Sequence, residues 1–174
     1  MSDFMIDIET LSVSTNATIL TIAAQSFDPL GEGHFDKHYY ARISLESQED
    51  RHIDDETVEW WSTQPPESVE EALGDGNRID LSTALSELAD VLWLSKRVWF
   101  NGPCFDAKIL EHAYQSYGKS TPWAYYEVRD ARTVYGLHPT LVKTPPSHHA
   151  LEDCRRQIDL LQRTLKQLEV KDLS

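Results

Sequence analysis

The chain opens on an alternation of apolar and acidic positions. In Met5-Ile6-Asp7-Ile8-Glu9-Thr10 the apolar side chains are interrupted by acids at i and i+2. Residues two apart share one face of a β-strand, so the pattern predicts a strand over Phe4–Glu9 with both carboxylates on the same side. Residues 11–16 are small and polar after Leu11 and read as a turn. Thr18–Phe27 is β-branched and apolar, a second strand. Asp28-Pro29 and Gly31-Glu32-Gly33 mark a hairpin turn, and His38–Leu45 is a third strand. The first quarter of the chain therefore predicts an antiparallel meander.

The period then changes. Asp54 stands where a helix N-cap would, with Asp55 and Glu56 in the turn where the helix dipole favours acids. This helix carries Val58, Trp60 and Trp61 and stops before Pro65-Pro66, after a charged loop over Glu46–Asp50. Ser68–Leu73 reads as a further helical turn and Gly74–Asn77 as a loop. Leu81, Leu85, Leu88 and Leu92 form the stripe of an amphipathic helix. Val98-Trp99-Phe100 is a short buried strand running into Asn101-Gly102-Pro103. A helix follows, with Phe105, Ile109 and Ala113 on one face and Gly118 as its C-cap. Val128 lies in a last short strand, Asp130–Tyr135 is helical, and Leu137–Pro146 is a loop. The final helix, His149–Leu168, carries the stripe Ala150, Cys154, Ile158, Leu161, Leu165 and Leu168. Three strands followed by alternating helices and strands predict an α/β fold, a mixed sheet with helices packed on it.

Composition narrows the class. A chain of 174 residues with 40% hydrophobic content and five Trp has the size of a single domain, 1–174, with a substantial core. It has no apolar run long enough for a membrane span and no basic-then-apolar leader, so a cytoplasmic protein is expected. Cys104 and Cys154, far apart, are expected to be free thiols. The net charge of −13 opposes long-range attraction to nucleic acid. Binding a polyanion would need metal ions and a local basic patch.

Chemistry concentrates at a few acids. Two carboxylates on one strand face repel unless a cation or proton joins them, and oxygen-only ligands suit Mg²⁺ or Mn²⁺. The plain alternative for Asp7 and Glu9 is a solvated strand edge. Asp106 sits in the first turn of a helix after a strand, where open α/β sheets bind ligands; it also suits an ordinary dipole-satisfying acid. Asp153 falls about 60° outside the apolar stripe of the last helix, at its border, and could instead pair with Arg156 or Gln157. Within one helix, residues five apart lie about 140° apart. His148 can therefore share a site with Asp153 only from the preceding loop, which Pro145-Pro146 makes credible. His149 and Asp130 are alternatives that residue type leaves open, Asp130 with a helix-cap role of its own. Trp60 and Trp61 lie about 100° apart on a helix, so one can pack inside while the other offers its face outside. Phe105 suits either the core or an exposed contact. Arg129, Arg132, Lys143, Arg155 and Arg156 are candidates for phosphate contact or for surface ion pairs, and Cys104 and Cys154 for small buried residues.

Together, Asp7-x-Glu9, then Asn101-x-x-x-Phe105-Asp106, then His148-x-Ala150-x-x-Asp153 resemble the three motifs of the DEDDh, or DnaQ-like, 3′–5′ exonuclease superfamily. Their order and context match over nearly the whole chain. The Trp60-Trp61 pair and the segment Val128-Arg129-Asp130-Ala131-Arg132-Thr133 further resemble the exodeoxyribonuclease VIII-like branch of phages and bacteria. The resemblance implies a ribonuclease H-like fold with a five-stranded mixed sheet. It implies two divalent cations, Mg²⁺ or Mn²⁺, held by Asp7, Glu9, Asp106 and Asp153, with Asp7 bridging both and His148 as general base. It implies removal of 5′-mononucleotides from 3′ ends of single-stranded DNA or RNA, DNA favoured narrowly. Thr10, Leu11, Trp60, Trp61 and Phe105 are the expected substrate contacts, Thr10 and Leu11 through backbone. A second copy of the chain is a further candidate partner. Two other classes compete. An aspartate-nucleophile phosphatase would want Asp rather than Glu9 in the third place and a downstream lysine motif that is not evident. A non-catalytic binding domain would have lost acids that this chain retains.

Overall fold

The protein is described by a computed structural model covering residues 2–138 and 145–173. Its strands are β1 (Asp3–Thr10), β2 (Ile19–Phe27), β3 (His34–Ile43), β4 (Arg78–Ile79), β5 (Val98–Phe100) and β6 (Val128–Asp130). Its α-helices are α1 (Asp55–Ser62), α2 (Pro66–Leu73), α3 (Leu81–Val91), α4 (Asp106–Ser116), α5 (Ala131–Gly136) and α6 (Ala150–Gln167). The strands form one sheet in the order β4-β3-β2-β1-β5-β6. β1 and β3 run antiparallel to β2, while β5 is parallel to β1, β6 to β5 and β4 to β3. The mixed sheet flanked by helices agrees with expectation, but among the described residues it has six strands, not five.

The extra strand is β4, two residues whose only strand-like property is pairing Arg78 and Ile79 beside Arg42 and Ile43. Nothing local marks so short a strand; distant contacts make it. The third strand begins at His34, four residues before its expected start, because the sheet extends the hairpin through the polar stretch to a Phe27–His34 pair. The Glu46–Asp50 loop contains a 3₁₀ turn at Glu46–Gln48. Asp54 takes the N-cap position of α1, but its Oδ2 accepts from the Thr57 hydroxyl at 3.0 Å and no backbone amide reaches its side chain.

The alternation of β1 decides where the chemistry lies. Phe4, Ile6 and Ile8 face a core completed by the leucines of α3 and by Ile109 and Leu110 of α4. Met5 faces the opposite layer, against Cys154, Ile158 and Leu161 of α6 and Tyr135 of α5. Asp7 and Glu9 continue the Met5 face, so they point toward α6. A third, smaller cluster joins Leu11 and Leu20 to Trp61 and Ala72. Among the described residues, no helix is long and apolar enough to cross a membrane.

Candidate active site

Three elements converge on the end of β1. Ile6 is paired with Phe100 at the C-terminal end of β5. Past that pair the two strands diverge, and the chain turns through Gly102, at φ +108°, into α4. The Ile8 amide, beyond the β5 pairing, donates to Asp106 Oδ1 at 3.3 Å. Asp106, in the first turn of α4, is thereby fastened beside the strand that carries Asp7 and Glu9.

Asp153 arrives from the first turn of α6. Its Oδ1 accepts from the backbone amide of Ser147 at 2.9 Å and from the Ser147 hydroxyl at 2.7 Å. Its Oδ2 accepts from the His148 amide at 3.0 Å, and Arg156 Nη2 lies 2.9 Å from Oδ1. The carboxylate thus fastens the loop before its own helix. His148 lies in that loop at φ +58°, outside the helix, as the i, i+5 spacing required. Ligand atoms of Glu9, His148 and Asp153 all lie within 4.8 Å of one another. The cleft over this cluster, about 1010 Å³, is lined by Asp7, Glu9, Asp106, His148 and Asp153 together.

The two histidines separate. His148 Nδ1 is 3.9 Å from Glu9 Oε1, and its ring meets Trp60 and Trp61 edge-on. His149 stacks on Tyr40 with ring centroids 4.8 Å apart and lies 3.9 Å from Glu71. The two tryptophans separate as well: Trp61 is 1% exposed, and Trp60 is 41% exposed. Trp60 lines a second, more apolar arm of the cleft with Val13, Thr57 and Phe105, meeting the acids at Glu9 and His148. Asp130 caps α5, accepting from the Arg132 amide at 3.0 Å and from the Thr133 hydroxyl at 2.5 Å. It does not line the cleft.

Other expectations are corrected. Leu11 is core, its amide donating to the Thr18 carbonyl and its own carbonyl accepting from Asp54 N; its backbone serves the framework rather than the cleft. Thr10 lines the apolar arm, but its carbonyl accepts from Trp61 Nε1 at 2.9 Å. Cys104 is exposed in the cleft, not buried, whereas Cys154 is buried with its thiol directed at the Met5 carbonyl. Arg129 donates to the Tyr126 and Val128 carbonyls, and Arg155 to Gln25 and Glu152. Arg132 and Arg156 do line the cleft. Lys143 lies outside the described residues. Sequence reading missed Gln157, whose Nε2 donates to Asp7 Oδ1 at 2.8 Å. The signal was present: Gln157 follows Asp153 by one helical turn.

Electrostatics tests whether these residues suit a metal. Burial, with repulsion from Asp106 and Glu9, raises the Asp7 carboxyl well above the usual range. Burial with Asp153 and Asp106 nearby pushes Glu9 up to about 8. Burial brings Asp106 to about 7, against the Ile8 amide and the Arg132 charge. Carboxylates held this close and this dry are deficient in positive charge. The donors are oxygens from three elements, the set that Mg²⁺ or Mn²⁺ prefers. The residues therefore fit divalent cations. His148 is lowered, first by burial, which favours its neutral form.

Comparison with known proteins agrees with this geometry. The model of the Rv2179c-like 3′-5′ exoribonuclease domain family matches residues 2–165. An exodeoxyribonuclease of Enterobacteria phage T4 is 27% identical over 124 residues, 63% of this chain and 54% of that protein. The zinc-bound E. coli exonuclease I–single-stranded DNA complex superposes with TM-score 0.68 at 13% identity, over 97% of this chain and 41% of the other. The nuclease domain of 3′hExo, a DEDDh family member bound to rAMP, superposes with TM-score 0.63 at 13% identity, over 95% and 92%. The chain thus spans about half the length of the phage relative. The two superpositions establish the ribonuclease H-like fold.

Proposed function

The chain belongs to the Rv2179c-like 3′-5′ exoribonuclease domain family, and from that premise we propose that it removes nucleotides stepwise from the 3′ end of single-stranded nucleic acid. The products are 5′-mononucleotides, and residues 1–174 act as a single exonuclease domain. The observation that carries this reading is the convergence of Asp7, Glu9, Asp106, Asp153 and His148 in one cleft.

Asp7, Glu9, Asp106 and Asp153 would hold two divalent cations. When bound, Mg²⁺ or Mn²⁺ would offset the repulsion among the carboxylates, polarise the scissile phosphate and stabilise charge on the departing 3′ oxygen. The chain's own residues do the rest. His148, its neutral form favoured by burial, accepts a proton of the attacking water as the water oxygen bonds to phosphorus and the bond from phosphorus to the 3′ oxygen breaks. Gln157 holds Asp7 in position, and Ser147 holds Asp153. Arg132 and Arg156 meet phosphate. The terminal base enters the apolar arm beside Thr10, Trp60 and Phe105, which a paired base could not reach without leaving its stack.

Single-stranded DNA is the first substrate to test, because the phage relative is an exodeoxyribonuclease. RNA is the second reading, favoured by the description of the matched family. Matched 5′-labelled DNA and RNA oligomers should shorten stepwise with Mg²⁺ or Mn²⁺ and remain intact with EDTA. Early release of the label as a mononucleotide would mean attack from the 5′ end and overturn the reading. Asp7→Asn should be inert yet folded.

A further inference from the structure

We infer that Trp60 is a positioning residue for His148: the indole forms the wall that holds the imidazole over Glu9 and Asp153. The inference rests on the reading of His148 as general base and adds to it the part of the fold that aims the ring.

His148 is in an unusual place for such a role. It belongs to a loop, not to a strand or helix, and its φ of +58° is one that a non-glycine residue seldom adopts. The backbone is fastened by the bond from the His148 amide to Asp153 Oδ2. That bond fixes the main chain but leaves the side chain free to rotate. The ring's neighbours must therefore choose its rotamer. On one side Glu9 Oε1 is 3.9 Å from Nδ1, too far for a hydrogen bond. On the other, Trp60 meets the imidazole edge-on at a centroid distance of 4.9 Å and an interplanar angle of 87°. Trp61 stands behind, 6.0 Å from His148 and 5.1 Å from Trp60.

This wall is tied to the strand that carries the acids. Trp61 Nε1 donates to the Thr10 carbonyl at 2.9 Å, one residue past Glu9. The Asp54 amide, at the start of α1, donates to the Leu11 carbonyl at 2.8 Å. Two bonds thus hold α1 in register with the end of β1. Trp61 is the buried anchor, and Trp60, riding against it, is the surface that His148 touches. The sequence pattern Trp60-Trp61 acquires two distinct uses from this arrangement.

A base-stacking platform and a wall for His148 differ in kinetics. An interaction that only binds substrate changes KM, whereas misplacing a general base lowers kcat. On a 5′-labelled single-stranded oligomer with saturating Mn²⁺, Trp60→Ala should lower kcat by roughly 3–10-fold, the scale of an edge-to-face aromatic contact, with a smaller change in KM. Trp60→Phe, which keeps a ring edge there, should recover most of the rate. In a His148→Ala background, Trp60→Ala should cause no further loss of kcat. A rise in KM with kcat unchanged, failure of Trp60→Phe to recover the rate, or independent multiplying losses in the double variant would each overturn the inference alone. Full activity of His148→Ala would overturn the reading of the base and the inference with it. Trp60 is partly exposed, so melting temperatures of its variants should stay near wild type, separating a loss of aim from a loss of fold.

Discussion

Three of the four site carboxylates are held by a neighbour as well as by their own backbone. Gln157 grips Asp7, the Ile8 amide grips Asp106, and Ser147 with Arg156 grips Asp153. Removing a carboxylate removes both a proposed cation ligand and one of these ties. Asp7→Asn and Asp153→Asn should abolish turnover while far-UV circular dichroism stays native. His148→Ala should lose roughly 10²–10⁴-fold in rate, whereas His149→Ala, whose ring lies against Tyr40, should be mild; single-turnover rates measure both. Glu9 makes a pH signature. It is pushed up to about 8 in the fold, against an ordinary value of about 4.3. Between those limits the folded chain binds more protons than the unfolded chain, so this group's stabilising contribution falls as pH rises. Without metal, Glu9→Gln should melt with wild type near pH 5 and above it near pH 8. Mg²⁺ should raise the melting temperature of wild type more at pH 8 than at pH 5, which thermal scans at the two pH values would read directly.

At the scale of elements, α6 does two jobs. Its apolar stripe is buried against Met5, Ala23 and Trp99 of the sheet, and its first turn holds Asp153. Packing therefore sets the distance between Asp153 and the β1 acids. Ile158, fully buried in that seam, should on substitution by Ala cost about 2–5 kcal/mol, a fall of roughly 2–4 °C in melting temperature per kcal/mol. If the helix carries a cation ligand, as proposed for Asp153, the same variant should also need more Mn²⁺ for half-maximal activity. A variant that lost stability but kept its Mn²⁺ requirement would show that α6 packing and the site are uncoupled. The loop before α6 is anchored from another element too, through the Ser68 hydroxyl of α2 on the Ser147 carbonyl at 2.9 Å.

The whole molecule sets the conditions for meeting a polyanion. A net charge of −13 offers no broad attraction, and among the described residues Arg132 and Arg156 are the Arg or Lys side chains lining the acidic cleft. Few phosphates can then be neutralised by the protein. Each one on a single strand contributes about −0.7 to the slope of log affinity against log salt, so the slope should be no steeper than about −3. Titrating a short single strand across a salt series, with Ca²⁺ in place of Mn²⁺ to slow cleavage, measures it. A slope near that of a protein touching many phosphates would reveal a basic surface outside this cleft. Duplex should bind poorly under the same conditions.

What can be read from the residues alone is what depends on local periodicity. A period of two puts Asp7 and Glu9 on one face whatever surrounds the strand, and a period near 3.6 makes α3 and α6 amphipathic before they pack. The i, i+5 geometry showed that His148, if it shares a site with Asp153, must do so from outside the helix. What residue type left open was settled by contacts between segments distant in the chain. His148 and His149 are adjacent and identical in kind; the Asp153 carboxylate captures the loop backbone, and contacts from other segments then place one ring beside Glu9 and Trp60 and the other on Tyr40. Trp60 and Trp61 are equally apolar, and it is the Thr10 carbonyl on β1 together with Leu11, Leu20 and Ala72 that takes Trp61 inside. Gln157 became visible as a site residue, Arg132 and Arg156 as the basic candidates that line the cleft, and β4 as a strand, only once the sheet and helices had been brought together. The reason is physical: a side chain's local preference follows from its own backbone, but its partner, its dryness and hence its charge depend on which other segments exclude water around it.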